Sequence, residues 1–389
     1  MNSAPVHITA AEVACALGND LDSCVQELGA GRSALRPLGE LLPEAHRWRE
    51  LLAGWVPDRA LLLGRRYGAA TNLAVHVARA AVRRAGWTTE ELSGAALFVG
   101  TSRGNFGEWV GAWKARRPVA LFHASNQLHS EIAAAVSIEL GIRGPWQVLS
   151  NGCASGLDAL GWAARELQAG ACRRVLAVAV ELPLVGELLD AFGDTGALSR
   201  SNCNDPYASQ TDGFLPGEGA AAVTLEAAPE RAWCGVEGYA VTSDAYDSVA
   251  VPADGGALAE CMQRSVAASE AAVVAVCPHA NGTRANAESE RAALALLGGE
   301  VGGVVCLKPF MGHALGAGGL VEAALLARCL RDGMLPPNLP GATRVDMPGD
   351  RSAGRAPLKA GDGVLKVSTA MGGHNASLVL RALRSSVPD

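Results

Sequence analysis

A cysteine at the start of a helical segment is the chemical signal around which this sequence is organised. Cys153 lies within residues 150–156, Ser-Asn-Gly-Cys-Ala-Ser-Gly, so small residues flank it on both sides. Apolar residues precede this stretch, and leucines and alanines recur at helical spacing after it, which predicts a strand-to-helix junction. The free amides and the positive dipole end of a helix favour a nucleophilic thiolate there. The alternative is that Cys153 is simply a small buried apolar residue.

Two histidines in the second half of the chain suggest a partner for this thiol. His279 and His313 each follow a predicted buried strand, and Lys308 precedes His313 by five residues. A cysteine at a helix start with two imidazoles at strand ends is a plausible constellation for nucleophilic catalysis. Taken singly, each histidine also has a structural interpretation. For His374, which lies in a glycine-rich hairpin, the structural alternative is a hydrogen bond to the backbone.

Metal and nucleotide sites are the competing interpretations of these residues. Cysteine and two histidines can ligate zinc, but the helical histidine spacing and the carboxylate of many catalytic zinc sites are absent. The glycine-rich residues 312–319 lack both the dinucleotide fingerprint and the Gly-Lys-Ser/Thr ending of a phosphate loop. The sequence therefore predicts neither a metal nor a cofactor.

The elements that must position these residues alternate between strands and helices. Strands are predicted at residues 6–16, 95–99, 174–180, 220–225, 235–243, 272–277, 303–307, 364–368 and 376–380. Helices are predicted at residues 21–28, 68–84, 130–141, 258–268, 285–297 and 315–330. Residues 37–56 resist assignment, and residues 105–125 are predicted to be an irregular insertion. The alternation predicts an α/β fold with active residues in loops at strand ends.

Composition and charge limit which binding partners and which cellular compartment are expected for the chain. Apolar residues make up 49 % of the chain and charged residues 19 %, which predicts a large packed core. The net charge of −6, without an extended basic tract, argues against a nucleic-acid partner. The ten cysteines form no Cys-x-x-Cys pair, and no apolar run approaches the length of a membrane span. A reducing, cytoplasmic location without membrane association is expected.

Taken in order, the motifs resemble the β-ketoacyl-acyl-carrier-protein synthases, specifically the elongating type II fatty-acid and polyketide branch of the thiolase-like superfamily. The matching stretches share their order and spacing with that family. They are Val6-His7-Ile8-Thr9, Leu17-Gly18, Cys153-Ala154-Ser155-Gly156, Asp212-Gly213-Phe214, Gly217-Glu218-Gly219, His279, Lys308, Gly312-His313, Glu322 and Gly372-Gly373-His374-Asn375.

The resemblance implies a thiolase-like fold of two pseudo-repeated halves in five layers, α-β-α-β-α. Residues 1–230 would form the half that carries the nucleophile, with insertions at about 37–60 and 105–130. Residues 231–389 would form the half that carries the two histidines and the lysine. The family usually forms dimers, so a homodimer, or a heterodimer with a related ketosynthase, is expected.

The resemblance also implies roles for individual residues. Cys153 would take an acyl group from an acyl carrier protein, and His279 and His313 would stabilise the enolate that forms as malonyl-carrier protein loses carbon dioxide. The backbone amides of Cys153 and Met371 would form the oxyanion hole. Lys308 would orient the second histidine. Glu322 would lie behind the catalytic residues. Four further residues would bind substrate: Asn281, Thr283, Gly372 and Gly373.

Several motifs depart from the family pattern. Asn151-Gly152 replaces Thr-Ala before the cysteine, and residues 279–283 replace His-Gly-Thr-Gly-Thr, which changes one hydroxyl expected to contact the pantetheine arm. Residues 206–214 lose an ion pair, and residues 367–373 lose both phenylalanines of the family's gate. These changes favour polyketide or specialised fatty-acid synthesis over housekeeping fatty-acid synthesis.

Two other functions stay open at this point. One is acyl transfer without decarboxylation, because the histidine loop and the gate are both altered. The other is a non-catalytic chain-length partner of another ketosynthase, although such partners usually lack the cysteine. The acidic carrier is expected to prefer a basic patch such as Arg65-Arg66 or residues 114–117.

Overall fold

A computed structural model describes residues 5–42, 46–115, 123–227, 229–298, 301–343, 345 and 356–383. Its strands are β1 (Val6–Cys15), β2 (Arg36–Pro37), β3 (Leu52–Ala53), β4 (Ala96–Gly100), β5 (Trp146–Leu149), β6 (Arg174–Glu181), β7 (Gly219–Glu226), β8 (Cys234–Ser243), β9 (Ala272–Cys277), β10 (Asp362–Ala370) and β11 (His374–Ala382). Its helices are α1 (Leu21–Gly29), α2 (Ala69–Ala85), α3 (Thr89–Ser93), α4 (Phe106–Ala115), α5 (His123–Asn126), α6 (Ser130–Leu140), α7 (Ser155–Gln168), α8 (Gly186–Asp194), α9 (Gly256–Ala267), α10 (Arg284–Leu297), α11 (Lys308–Met311) and α12 (Leu315–Arg331).

The main sheet repeats one strand order in each half of the chain. Its order is β5-β4-β6-β7-β1-β8-β11-β10-β9, with β1 and β8 joining the halves through a short antiparallel pairing. In the first half, β4 runs parallel to β5 and β6, whereas β7 runs antiparallel to β6 and β1. In the second half, β10 runs parallel to β9, and β11 runs antiparallel to β10 and β8. The boundary predicted at residue 230 falls between β7 and β8 and stays a prediction.

Two buried helices lie at the centre of the molecule. α7 and α12 pack against each other and against strands of both halves. Every residue of α12 from Leu315 to Ala327 is buried, as expected for a helix that is apolar on all sides. α2 and α6 cover the outer face of the first half-sheet, and α9 and α10 cover that of the second. This α-β-α-β-α arrangement confirms the predicted thiolase-like fold.

Three predictions about local structure were wrong or incomplete. Residues 303–307 do not form a full strand: Gly303 and Val305 bond Val276 of β9 through a single bridge at Val304, and the other edge of the segment bonds the Asn338 side chain. The insertion at 105–125 contains α4 rather than irregular chain, and its residues 116–122 lie outside the described residues. α8 was not predicted at all.

Candidate active site

Cys153, the predicted nucleophile, sits in a tight turn between β5 and α7. Gly152–Ala154 form a single 3₁₀ turn, in which the Ser155 hydroxyl donates to the Gly152 carbonyl at 2.6 Å and accepts from the Asn151 amide at 2.9 Å. Gly152 has φ +55°, and a Cβ there would stand 3.1 Å from the Cβ of Ala370. Glycine is therefore required where the family pattern has alanine. The turn holds Cys153 partly exposed.

Cys153 contacts His313 and lies close to His279. Its Sγ lies 3.3 Å from Nε2 of His313, and the rings of His313 and His279 stack edge to face with centroids 4.9 Å apart. One ligand atom from each of the three residues falls within 4.8 Å of the other two. The edge of Phe214 packs against His313 with a centroid distance of 5.4 Å, which closes one side of the site.

A buried carboxylate holds the His279 loop. Glu290 on α10 accepts the backbone amides of His279 at 2.6 Å and Ala280 at 3.0 Å. The Asn286 amide and the Tyr207 hydroxyl donate to the same carboxylate at 2.8 and 2.9 Å. Glu290 therefore fixes the backbone at His279 without touching its ring. Its signal in the sequence was an acidic residue on the predicted helix that follows His279.

His313 is fixed by its own backbone. Its amide donates to Leu215 and its carbonyl accepts from Gly217, at 2.8 and 3.0 Å. In the part of the chain that the structure describes, Nδ1 of His313 and Nδ1 of His279 have no hydrogen-bond partner although both are buried. No neighbour therefore fixes the tautomer of either ring.

Lys308 and Glu322 form a buried ion pair that includes a second lysine. The Lys308 ammonium donates to Oε1 of Glu322 at 2.6 Å, and the Lys366 ammonium lies 2.9 Å from Oε2. A Cβ on Gly318 would stand 3.7 Å from Glu322 Oε1 and His313 Nδ1, and 4.0 Å from Lys308 Cε, so Lys308 and His313 face the same small space. Sequence reasoning missed Lys366, whose signal was a lysine inside an apolar strand.

Burial and these charges set the protonation of the site. Burial lowers the pKa of His279 and His313 well below the usual value, and Lys308 and Lys366 lower both further. Burial alone would raise the pKa of Glu322, but the two lysines hold it below its usual value. Lys308 and Lys366 are the charged side chains that act on the two imidazoles, and their positive charge disfavours a divalent metal at the three ligand atoms.

The expectation of a thiolate at Cys153 was wrong for the resting protein. Burial raises the pKa of Cys153 to about 11, and the nearby Lys308 offsets only part of that effect. The cost of placing a thiolate in a protein interior exceeds what the start of α7 contributes. Cys153 is therefore a neutral thiol beside a neutral imidazole.

The predicted oxyanion and substrate residues lie around this centre. Met371, Gly372 and Gly373 form the turn between β10 and β11, and the Met371 carbonyl would lie 4.0 Å from a Cβ on Gly152. The Met371 side chain is 45 % exposed. The turn thus lies against the nucleophile, whereas the role of the Met371 amide stays a prediction.

Asn281 and Thr283 are engaged with each other. The backbone amide and the hydroxyl of Thr283 both donate to Oδ1 of Asn281, at 2.9 and 3.0 Å, and Thr283 caps the start of α10. Contact of either residue with a pantetheine arm stays a prediction.

Compensating contacts accompany two of the departures from the family pattern. Small buried residues, Ala208 and Thr211, occupy the positions of the lost ion pair, and the Thr211 hydroxyl donates to the carbonyl of Gly282 in the histidine loop. Asn151 donates to the buried carboxylate of Asp158 at 2.7 Å. His374 and Tyr239 bond the same carboxylate at 2.8 and 2.7 Å, so Asp158 joins the nucleophile turn to the hairpin.

The fold and this site define a condensing enzyme of the thiolase type, and sequence comparison identifies the family. Residues 3–231 match the N-terminal domain and residues 233–342 the C-terminal domain of the β-ketoacyl synthase family. The chain belongs to the β-ketoacyl synthase family.

Individual relatives agree with this family. The chain is 32 % identical to the actinorhodin polyketide putative β-ketoacyl synthase 1 of Streptomyces coelicolor over 65 % of its length and 58 % of that protein. It is 31 % identical to 3-oxoacyl-[acyl-carrier-protein] synthase 2 of Rhizobium meliloti over 79 % of both. A β-ketoacyl synthase structure from Burkholderia phymatum superposes with a TM-score of 0.86, 26 % identity and coverage of 98 % of this chain and 100 % of that one.

Proposed function

We propose that the chain catalyses decarboxylative condensation of an acyl group, held as a thioester on Cys153, with malonyl-carrier protein. The observation that carries the proposal is the contact of 3.3 Å between Cys153 and His313, with His279 stacked on His313 in the same buried centre. A non-catalytic partner would need neither the thiol nor both imidazoles.

Acyl transfer to the enzyme follows from the neutral thiol–imidazole pair. As Sγ of Cys153 attacks the carrier thioester, its proton moves to Nε2 of His313. The bond between the acyl carbon and the carrier sulfur then breaks, and that sulfur leaves as a thiol with the same proton. Amide donors aimed at the intermediate's oxygen, such as those of Cys153 and Met371, are worth roughly 3 kcal/mol each.

Decarboxylation needs hydrogen-bond donors rather than a base. Neutral imidazoles of His279 and His313, each with a proton on Nε2, donate to the malonyl thioester oxygen as carbon dioxide leaves and the enolate forms. The enolate carbon attacks the acyl carbon on Cys153, the bond to Sγ breaks, and the thiolate takes up one proton from solvent, which is the proton that the overall condensation consumes. Among the described residues no partner fixes Nδ1 of His313, so these neighbours favour neither tautomer of the ring over the two steps.

A carrier protein is the expected source of both substrates. The name of the Rhizobium relative includes the acyl carrier protein, and the name of the Streptomyces relative includes the word polyketide. Of the two predicted basic patches, Arg65 and Arg66 are exposed, and Arg66 pairs with Glu139 at 3.2 Å. The side chains of residues 114–117 lie outside the described residues.

We propose that the chain forms a dimer through β5. This strand is at the edge of the main sheet, and edge strands are ready to pair with another chain. Its Trp146 is 41 % exposed, and Ile138 on the neighbouring α6 is 58 % exposed. A homodimer and a heterodimer with a related ketosynthase both use such an edge.

Release of carbon dioxide from malonyl-carrier protein, followed together with formation of 3-oxoacyl-carrier protein, tests the proposed function. We expect the wild-type protein to give both products and His279→Ala or His313→Ala to lower the rate by about 10²-fold or more. His76→Ala is the matched control, because His76 is a half-buried histidine on α2 away from the site, and it should keep the activity. Acyl transfer without carbon dioxide release would instead indicate a simple acyltransferase. Activity that appears only with a related ketosynthase bound, and that survives Cys153→Ala in this chain, would indicate a non-catalytic partner.

A further inference from the structure

The ammonium of Lys366 is enclosed by oxygen atoms in the protein interior. Lys366 lies on β10 with 0 % of its surface exposed. Besides Glu322, its Nζ donates to the carbonyls of Cys277 at 3.5 Å, Pro278 at 3.4 Å and Val367. Burial of a charge is costly even when it is paired, so the arrangement calls for a role beyond packing.

We propose that Lys366 is a positioning residue for the two imidazoles: its ammonium holds the carbonyls that precede His279, and its charge adds to burial and Lys308 in opposing protonation of His279 and His313. The consequence for catalysis rests on the proposed function, whereas the effect on imidazole protonation does not. Lys366 acts through other residues, since it contacts neither ring.

The positional part of the proposal follows from the backbone on both sides of His279. Lys366 bonds the carbonyls of Cys277 and Pro278, and Glu290 bonds the amides of His279 and Ala280. The loop therefore has one charged anchor on its carbonyl side and another on its amide side. Loss of either anchor frees the peptide that aims His279 at the centre.

The electrostatic part follows from the charges that surround the site. Lys366 faces Glu322 on α12, Cys277 on β9 and Glu290 on α10. The imidazoles face Lys308, Lys366 and each other, and Nε2 of His313 faces the Cys153 thiol. Glu322 and Glu290 are the carboxylates near the two lysines, but the charged side chains that act on the imidazoles are Lys308 and Lys366. Lys366 adds the positive charge that opposes protonation of either ring.

Nuclear magnetic resonance titration of protein labelled with ¹⁵N-histidine and ¹⁵N-lysine tests the proposal without substrate. We expect Lys366→Met to raise the pH at which His279 and His313 protonate by about one unit. Lys359→Met removes an exposed lysine just before the same strand and should leave both titrations unchanged. Equal titrations in wild-type protein and Lys366→Met would overturn the proposal.

Two further measurements cover failure of the variant and failure of the function. If Lys366→Met does not fold, the ¹⁵Nζ signal of wild-type Lys366 decides: a charged ammonium at about pH 8 supports the proposal, and a neutral amine contradicts it. If the wild-type protein condenses substrates, Lys366→Met should lower kcat by about tenfold and move the acid limb of its pH profile upward. Absence of condensation in the wild type refutes the proposed function but leaves the histidine titration valid.

Discussion

At the scale of single residues, the site combines a weakly acidic thiol with weakly basic imidazoles. Burial moves the pKa of Cys153 upward and those of His279 and His313 downward, so both forms at rest are uncharged. Because the thiol and the imidazole of His313 are both uncharged at rest, the protein does not bear the cost of burying an ion pair between them. In the proposed reaction, charge develops only during catalysis, near the amides and imidazoles that are predicted to stabilise it.

The raised pKa of Cys153 predicts slow, pH-dependent alkylation. The rate with iodoacetamide should rise about tenfold per pH unit between about pH 7 and about pH 9, because the thiolate is the reacting form. Peptide mass spectrometry separates Cys153 from the partly exposed Cys172 and Cys203. A rate that levels off below about pH 8 would mean that Cys153 is a resting thiolate.

The spacing of motifs was enough to predict the residues that meet at the centre, but not those that support them. Cys153, His279 and His313 come together as predicted, and Lys308 pairs with Glu322. Lys366 and Asp158 went unnoticed because the contacts that give them a role, Glu322 for Lys366 and His374 for Asp158, are more than 40 residues away in sequence. A single buried charge inside an apolar strand or helix indicates a buried partner, but the sequence does not say which one.

At the scale of elements, Asp158 connects α7 with the hairpin of β10 and β11. Asp158 is fully buried and accepts hydrogen bonds from Asn151 beside the nucleophile and from His374 at the start of β11. The hairpin turn that carries Met371 is thereby attached to the turn that carries Cys153. The hydrogen bond to Asp158 raises the pKa of His374.

This contact predicts a pH-dependent stability. Because the pKa of His374 is raised on folding, its contribution is complete below the unfolded value of about 6.5 and is lost as the pH rises through the folded value. The free energy of unfolding of His374→Gln should be about 1 kcal/mol below that of the wild type at about pH 6, and closer to it at about pH 9. Urea titrations at both pH values measure this, with His76→Gln as the control. A difference that is the same at both pH values would contradict the assignment.

Close packing of α7 on α12 depends on glycine. A Cβ on Gly319 would stand 2.8 Å from the backbone nitrogen and from the Cβ of Leu157, in the most buried layer of the protein. Gly319→Ala should therefore lower the free energy of unfolding by about 1–3 kcal/mol. Gly111→Ala, on α4 with nothing within 4 Å of the added Cβ, should be neutral or slightly stabilising. Equal thermal midpoints for the two variants would contradict this view of the central layer.

Most elements of the fold followed from periodicity, and the exceptions have local causes. The strand at 272–277 and the long helices were predicted within a few residues because their apolar patterns are long and regular. The run at 303–307 has the composition of a strand, but it makes one bridge to β9 and its other edge bonds the Asn338 side chain. That contact joins residues more than 30 positions apart and leaves no trace in the pattern of 303–307.

At the scale of the whole molecule, the two halves share a strand order and contribute different parts of one site. The first half supplies Cys153 just before α7. The second half supplies His279 and His313 together with Lys308 and Lys366. Among the described residues, no helix combines the length and apolarity needed to cross a membrane. The edge strand β5 is the surface proposed above for assembly.

The edge strand predicts how assembly can be broken. The wild-type protein should elute at about twice the chain mass of 39.9 kDa in light scattering coupled to size exclusion. Trp146→Glu combined with Ile138→Glu should shift it to the mass of one chain, because charge disfavours pairing at an exposed edge. Leu296→Glu, at an exposed position of α10, should leave the mass unchanged. A dimer that survives the double substitution would place the interface elsewhere.

The most direct test of the whole account is the intact mass of the protein after incubation with an acyl-carrier thioester. We predict a gain of one acyl group by the wild type, none by Cys153→Ala, and loss of that group with release of carbon dioxide once malonyl-carrier protein is added. Equal acyl loading of Cys153→Ala would contradict the central claim that Cys153 carries the acyl group.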